Sequence, residues 1–313
     1  MAKRLLCSPR QPNVVNIKFR QASFDLLSDL LINSNKRNKD NLNSLPICSG
    51  SFKEKRLVEY IFLITQELGL DPLVGYHAVE LLQRFMVKHL WDLLTAPTPQ
   101  GAAAAEPRSY EDVIFDKLKD KLPLILFSCV QLANKLSLHC HMINSSTAVR
   151  FLHSVGLSVS KQTVLESELM VFKTLEFNLN VLNPLTYVEI LLEVLGHNEP
   201  SIPVERIYNL CHPVLRFITL QRTAIYDALL RVTAQCVCPS REQREMFVSV
   251  TEDCMLLGVG VIAVATFIHY VRKWEQIVGE LSNITGITRK SISDFAHVTL
   301  VHIVSSSSPV AQT

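Results

Sequence analysis

Two short runs gather soft metal-ligating side chains, His139-Cys-His141 and Cys236-Val-Cys238. Neither has a second pair at the spacing a tetrahedral zinc site requires, so no metal is expected. The chain carries no Gly-rich phosphate loop, no His-Glu-x-x-His and no Gly-x-Ser-x-Gly. No catalytic constellation and no cofactor are therefore expected, and the chain reads as a non-enzyme. Ser8-Pro9, Thr98-Pro99 and Ser308-Pro309 are dipeptides that a proline-directed kinase could phosphorylate, and all three fall in loops or tails. The residue with most chemical interest is Lys135. It closes an apolar run from Leu122 to Leu138, LPLILFSCVQLANKLSL. A cation at the end of such a run must lie at a rim, where it snorkels into water or meets a partner.

The elements that position Lys135 follow from periodicity. Leu122 to Ala133 has no usable polar face, and a helix of that kind is covered on every side. Pro123 is tolerated in a first turn, and Ser128, Cys129 and Ala133 are small enough for close approach. Before this helix, Leu57, Val58, Ile61, Phe62, Ile64 and Leu68 make a helical stripe, stopped by Gly69. Asp71-Pro72 starts the next helix, about Leu73 to Leu94. A low-complexity insertion occupies 95–112. Afterwards come helices over Ser145–Val155 and Lys161–Phe177, separated by a Gly156 stop, and a break at Asn183-Pro184. The next helix ends at Leu195 with Gly196 as its C′ glycine, and another runs from Val204 to Leu220. A polar loop over 235–245 leads to a second apolar run, Met255 to Ile268. Its roughly 14 residues fall short of a membrane span, so it reads as another buried helix.

These two apolar runs point to an internal repeat. Residues 124–136 lie over 256–268 at an offset of 132, with Ala133 on Ala265. Gly156-Leu-Ser158 and Gly286-Ile-Thr288 follow at an offset of 130, and each precedes an amphipathic helix. No stretch shows strand-like alternation. The expectation is an all-α fold of two five-helix units, each wrapped around its own apolar helix. The domain reading is a basic, largely flexible arm (1–50), a first unit (51–182), a second unit (183–304) and a flexible tail (305–313).

The formal net charge of +2 gives no strong field for nucleic acid or membrane. The basic bias sits near the start, where eleven Lys and Arg face four Asp and Glu through Arg56. Lys36-Arg37-Asn38-Lys39, in a polar stretch (33–44) read as mobile, is a short candidate import signal. No signal peptide is apparent, and the eight Cys read as free thiols of a reducing compartment.

Several runs resemble the cyclin family. YHAVELLQRFM (76–86) is similar to the second helix of a cyclin box, QLANKLS (131–137) to the end of its central third helix, and VLESELMVFKTLEFNLNVLNPLTYVEILL (164–192) to its fifth helix and exit. Within the family, VELLQRFMVK, SCVQLANKLS, LESEL, LLEVLG, EDCMLLGVG and SNITGI resemble the cyclin N-terminal domain-containing protein 1 group. The resemblance implies a cyclin box followed by a second, divergent cyclin-like unit. It also implies a regulator of a cyclin-dependent kinase, nuclear and on meiotic chromosomes, acting with recombination and DNA repair proteins in crossover maturation. In cyclins a Lys and a Glu hold the αC region of the kinase. The matching residues are Lys135 and Glu168, framed by Leu132, Leu136, Phe172, Phe177 and Leu179.

Other positions depart from the pattern. The substrate-docking patch on the first helix falls on Lys53-Glu54-Lys55-Arg56-Leu57 and Tyr60, where only the Leu is kept. The acid that reads a substrate Arg falls on Leu63, and the Arg–Asp pair joining the first two helices falls on Glu54 and Gln83. Substrate docking by the usual peptide mode is therefore not expected. Two other readings remain open: a kinase-independent scaffold for recombination factors, and a nucleic-acid binder of the transcription-factor type that stacks two cyclin folds. Direct contact with nucleic acid or membrane is not expected.

Overall fold

The computed structural model describes residues 19–46, 49–95, 110–137 and 143–307. Among them all regular structure is helical, with no strand. The three proline-directed dipeptides, His139-Cys-His141, most of the 95–112 insertion and the end of the tail lie outside the described residues. The chain divides into two compact units. One holds residues 59–181; the other combines 16–58 with 182–313.

The first unit is built from α2 (Lys55–Glu67, its start counting with the second unit), α3 (Pro72–Thr95), α4 (Tyr110–Leu136), α5 (Ser145–Ser154) and α6 (Lys161–Thr174). Helix α4 is its axis. Every residue from Ile125 to Asn134 is buried, with α3 and α6 against its sides and the Phe151 ring of α5 stacked on Phe127 at 5.7 Å. Pro123 stands inside α4 rather than in its first turn, because the helix begins twelve residues before the apolar run does. The carbonyl of Lys119, which loses its helical donor to the proline ring, sits on an exposed residue where water can replace it.

Helix α2 ends as expected at Gly69 (φ +63°), and Leu70 N–H reaches back to Thr65 C=O at 2.9 Å. Asp71 then caps α3 through Leu73 N–H. Gly156 (φ +88°) closes α5 in the same way.

In the second unit the axis is α11 (Cys254–Tyr270), buried without a break from Cys254 to Thr266. Asp253 caps it with one oxygen on the N–H groups of Met255 and Leu256. The stretch Cys254–Thr285 has the length and composition of a membrane span, yet its apolar part, α11, is mostly covered by neighbouring helices: α7 (Pro184–Asn198), α8 (Val204–Leu220), α12 (Trp274–Thr285) and α13 (Arg289–Ser307). Gly260 is required here, since a Cβ at that position would stand 2.3 Å from the Phe295 ring.

Three expectations for this unit are corrected. Gly196 does not end α7. It lies inside the helix because Val204 packs where its Cβ would be, at 2.9 Å. Helices α9 (Arg222–Ala234) and α10 (Arg241–Thr251) occupy residues that gave no clear stripe and part of the expected 235–245 loop. A Ser240–Gln243 capping box starts α10. The unit therefore holds more than five helices.

The polar stretch 33–44, expected to be mobile, instead continues α1 (Phe24–Asn43). One buried residue explains it. Asn38, 3% exposed, donates to Asp253 Oδ1 at 2.9 Å and accepts from Cys254 N–H at 3.0 Å. Tyr187 donates to Ser34 C=O, and Arg20 N–H and Nη2 bond Glu193 and Ile202 C=O. The Lys36–Lys39 cluster thus lies on a helix whose central Asn is buried.

Candidate partner-binding site

Helices α4 and α6 share a polar seam inside an apolar core. Ser128 Oγ and Ser167 Oγ are 2.9 Å apart, and Ser128 also donates to Leu124 C=O. Two turns along, Lys135 donates to Glu168 Oε1. Both lie where their helices emerge at the surface, but unequally: the Lys135 side chain is 42% exposed, that of Glu168 only 10%. Glu168 Oε2 and, one turn before Lys135, Gln131 Oε1 are buried acceptors with no donor. A buried oxygen left unpaired is costly, so the seam keeps two acceptors with an unmet need for a donor.

The expected aromatic frame is assembled by the stop of α6. That helix ends at Thr174, three residues before the expected Phe177. Glu176 and Phe177 both take left-handed backbone, φ +54° and +61°, which an L side chain resists by about 1–2 kcal/mol. Two bonds characteristic of a Schellman stop, Phe177 N–H to Phe172 C=O and Glu176 N–H to Lys173 C=O, offset that cost. The Phe172 and Phe177 rings meet edge-on at 5.0 Å. One face of α3 holds the segment beyond. Lys88 pairs with Glu176, lowering the Glu176 pKa by hydrogen bond and charge. Arg84 donates to Asn180 C=O at 3.3 Å, and His77 Nε2 bonds Leu179 C=O at 3.1 Å. A carbonyl only accepts, so Nε2 of His77 carries the proton.

The site residues named from sequence fall into three groups. Lys135, Glu168 and Leu136 stand together at the rim, Leu136 being 46% exposed. Phe172, Phe177 and Leu179 follow α6, with Phe177 exposed and the other two half-buried. Leu132 is 4% exposed and packs in the core, so it presents nothing to a partner. Two residues were missed. Leu165 and Leu169 project from α6 with nearly half their surface exposed, one turn apart beside Glu168. Their signal was a second apolar row out of phase with the inward row Val164, Ser167 and Val171.

The metal candidates gain no support from the described part of the chain. Cys236 and Cys238 are free, and no group of three or more potential ligands gathers among the described residues. The first-helix docking position is also occupied otherwise. Lys53 is buried and pairs with Glu252 of its own unit at 2.8 Å.

No family model matches the chain. Over 304 residues, 97% of its length, it is 37% identical to cyclin N-terminal domain-containing protein 1 of Mus musculus, covering 91% of that protein. It is 38% identical to cyclin N-terminal domain-containing protein 1 of Homo sapiens over the same share of the chain, covering 92% of that relative. An all-helical fold built around two apolar axes accords with that likeness, and the chain belongs to the cyclin N-terminal domain-containing protein 1 family.

Proposed function

We propose that this chain is a non-catalytic regulator that grips a cyclin-dependent kinase at the α4–α6 lip and serves crossover maturation in the meiotic nucleus. The observation that carries the reading is the half-met carboxylate. Glu168 is held by Lys135 through one oxygen, and the other waits buried for a donor. Exposed apolar side chains stand on the same two helices and the stop that follows α6: Leu136, Leu165, Leu169 and Phe177. A docking helix or strand end of a kinase brings backbone N–H groups to that oxygen and apolar side chains to its frame. Contacts made only in one placement of the kinase shift its population toward that placement. The resemblance to cyclins supplies the class of partner, and the group's link to crossover maturation supplies the setting.

A second reading, a kinase-independent scaffold for recombination or repair factors, draws support from Lys53, whose burial removes the usual substrate-docking position. A net charge of +2 lends no support to nucleic-acid binding. Affinity purification from meiotic germ cells separates the readings. Kinase recovered with wild type and lost with Lys135→Ala/Glu168→Ala favours the first. Recovery of recombination factors alone, unchanged in the variant, favours the second.

A further inference from the structure

The core helix of the second unit also ends at a lip, with different chemistry. At the repeat offset of 132, Lys135 and Leu136 correspond to Phe267 and Ile268. Glu168, at the offset of 130, corresponds to Val298, which is buried. The charged grip of the first unit is therefore replaced by an apolar one. Every residue from Cys254 to Thr266 is buried, yet Phe267, Ile268, Tyr270 and Val271 are 40, 49, 39 and 58% exposed.

Helix α11 stops at Tyr270, whose backbone (φ −144°, ψ 51°) leaves the helical region, and a 3-10 turn, Val271–Lys273, leads into α12 at Trp274, so that Phe267, Tyr270 and Val271 are exposed around one corner. Phe267 meets Trp274 edge-on at 5.8 Å, which closes the corner. The Trp274 indole donates to Ala263 C=O at 3.0 Å, and Lys273 donates to Ser201 at 3.1 Å. The platform is thus fixed before anything binds, and a rigid surface loses little entropy on binding. Arg272 and Lys273 edge it, while residues 267–276 hold one acid, Glu275. Aromatic side chains beside Arg make the composition of an interface hot spot, and the net charge of its edge complements a negative partner.

We propose that the corner where α11 gives way to α12, Phe267 to Trp274, docks an acidic segment of a partner protein. Aromatic or branched aliphatic side chains of the segment sit on Phe267, Tyr270 and Val271, and its carboxylates meet Arg272 and Lys273. A membrane surface fits less well, because the indole N–H that would face headgroups is committed to the chain's own backbone. A two-fold contact with a second copy would set Arg272 and Lys273 against their own like charges.

The test begins by selecting short random displayed peptides on the immobilised full-length chain. The affinity of a selected peptide is then measured by fluorescence anisotropy. Selected peptides are expected to share an apolar anchor flanked by Asp or Glu. Val271→Glu should weaken binding about tenfold or more, and Tyr270→Ala should weaken it too. Arg272→Glu/Lys273→Glu should turn the preference toward basic peptides. Circular dichroism checks that each variant folds. Lys135→Ala/Glu168→Ala should bind the peptide like wild type, which separates this surface from the proposed kinase lip. The proposal is overturned if no related peptides enrich or if Val271→Glu leaves affinity untouched. It is also overturned if the surface instead binds phosphatidylserine vesicles, or makes a Val271-dependent dimer in sedimentation.

Discussion

Glu168 and Lys135 are unequal partners, and the inequality is measurable. Removing the cation leaves a carboxylate that is 10% exposed with neither oxygen paired; altering the carboxylate leaves a cation that is 42% exposed and can hydrate. Urea unfolding should therefore show Lys135→Ala costing about 1–3 kcal/mol and Glu168→Gln less than about 1 kcal/mol. Equal costs would mean that the carboxylate is better solvated than its burial indicates. His89 offers a pH test of the same unit. Burial lowers its pKa, Asp92 opposes that shift and Lys121 adds to it, while the ring stacks on Phe85 at 4.9 Å. A histidine with a depressed folded pKa contributes stability that is full above the unfolded value of 6.5. That contribution fades as pH falls through the folded value. Stability should drop on acidifying below neutrality, and His89→Gln should flatten the drop in melts recorded across that range. The pairing of Lys135 with Glu168 was legible because their runs resemble a known box. The burial of Leu132 was not legible, because resemblance fixes a position on a helix but not which way a crowded core turns it. Phe177 owes its exposure to two left-handed residues that no glycine announces.

Apolar runs made the axes plain at the level of elements, because a helix with no polar face has only one place to go. Both α4 and α11 are as tightly enclosed as their sequences demand, so overpacking either should destabilise its unit. Ala133→Leu and Gly260→Ala should each cost about 1–3 kcal/mol, read as lowered melting temperature. The second is the sharper test, since the new methyl would meet the Phe295 ring. Unchanged melts would deny those helices their central place. Boundaries were harder to read. Pro123 suggested a helix start, yet α4 runs through it, because a proline whose orphaned carbonyl faces water is tolerable in a helix clamped on both sides. Gly196 suggested a stop, yet serves close packing. A lone proline or glycine marks a boundary only where solvent or backbone geometry demands one, and the sequence does not show which demand applies.

The arm is the largest surprise for the molecule as a whole, and a buried charge cluster helps tie it down. Lys53 and Arg222 share the carboxylate of Glu252, at 2.8 and 2.7 Å, with Arg222 also lying over the Tyr226 ring at 4.9 Å. Burial pushes the Glu252 pKa up, but the two cations outweigh it and the pKa is lowered. The stability this contributes is present above the unfolded value of 4.5 and is lost as pH falls through the folded value. Glu252→Ala removes the carboxylate that both cations share. It should cost about 3 kcal/mol or more at neutral pH, and its melting temperature should vary less with acid than that of wild type. Nothing in residues 33–44 announced this attachment. Their polarity is that of a loop, and the holding contacts join Asn38 and Lys53 to residues about two hundred positions away. For the same reason, deleting the arm would damage the second unit, and partner binding is better tested by point changes.

The central claim is that Lys135 and Glu168 together hold a kinase. Changing both to alanine strands no charge, so the double variant separates binding from folding better than either single change. Isothermal titration of the purified chain against purified cyclin-dependent kinases tests the claim most directly. Saturable binding by wild type, weakened about a hundredfold or more in a double variant that still folds, is the predicted result. A kinase bound equally well by both proteins would contradict the account.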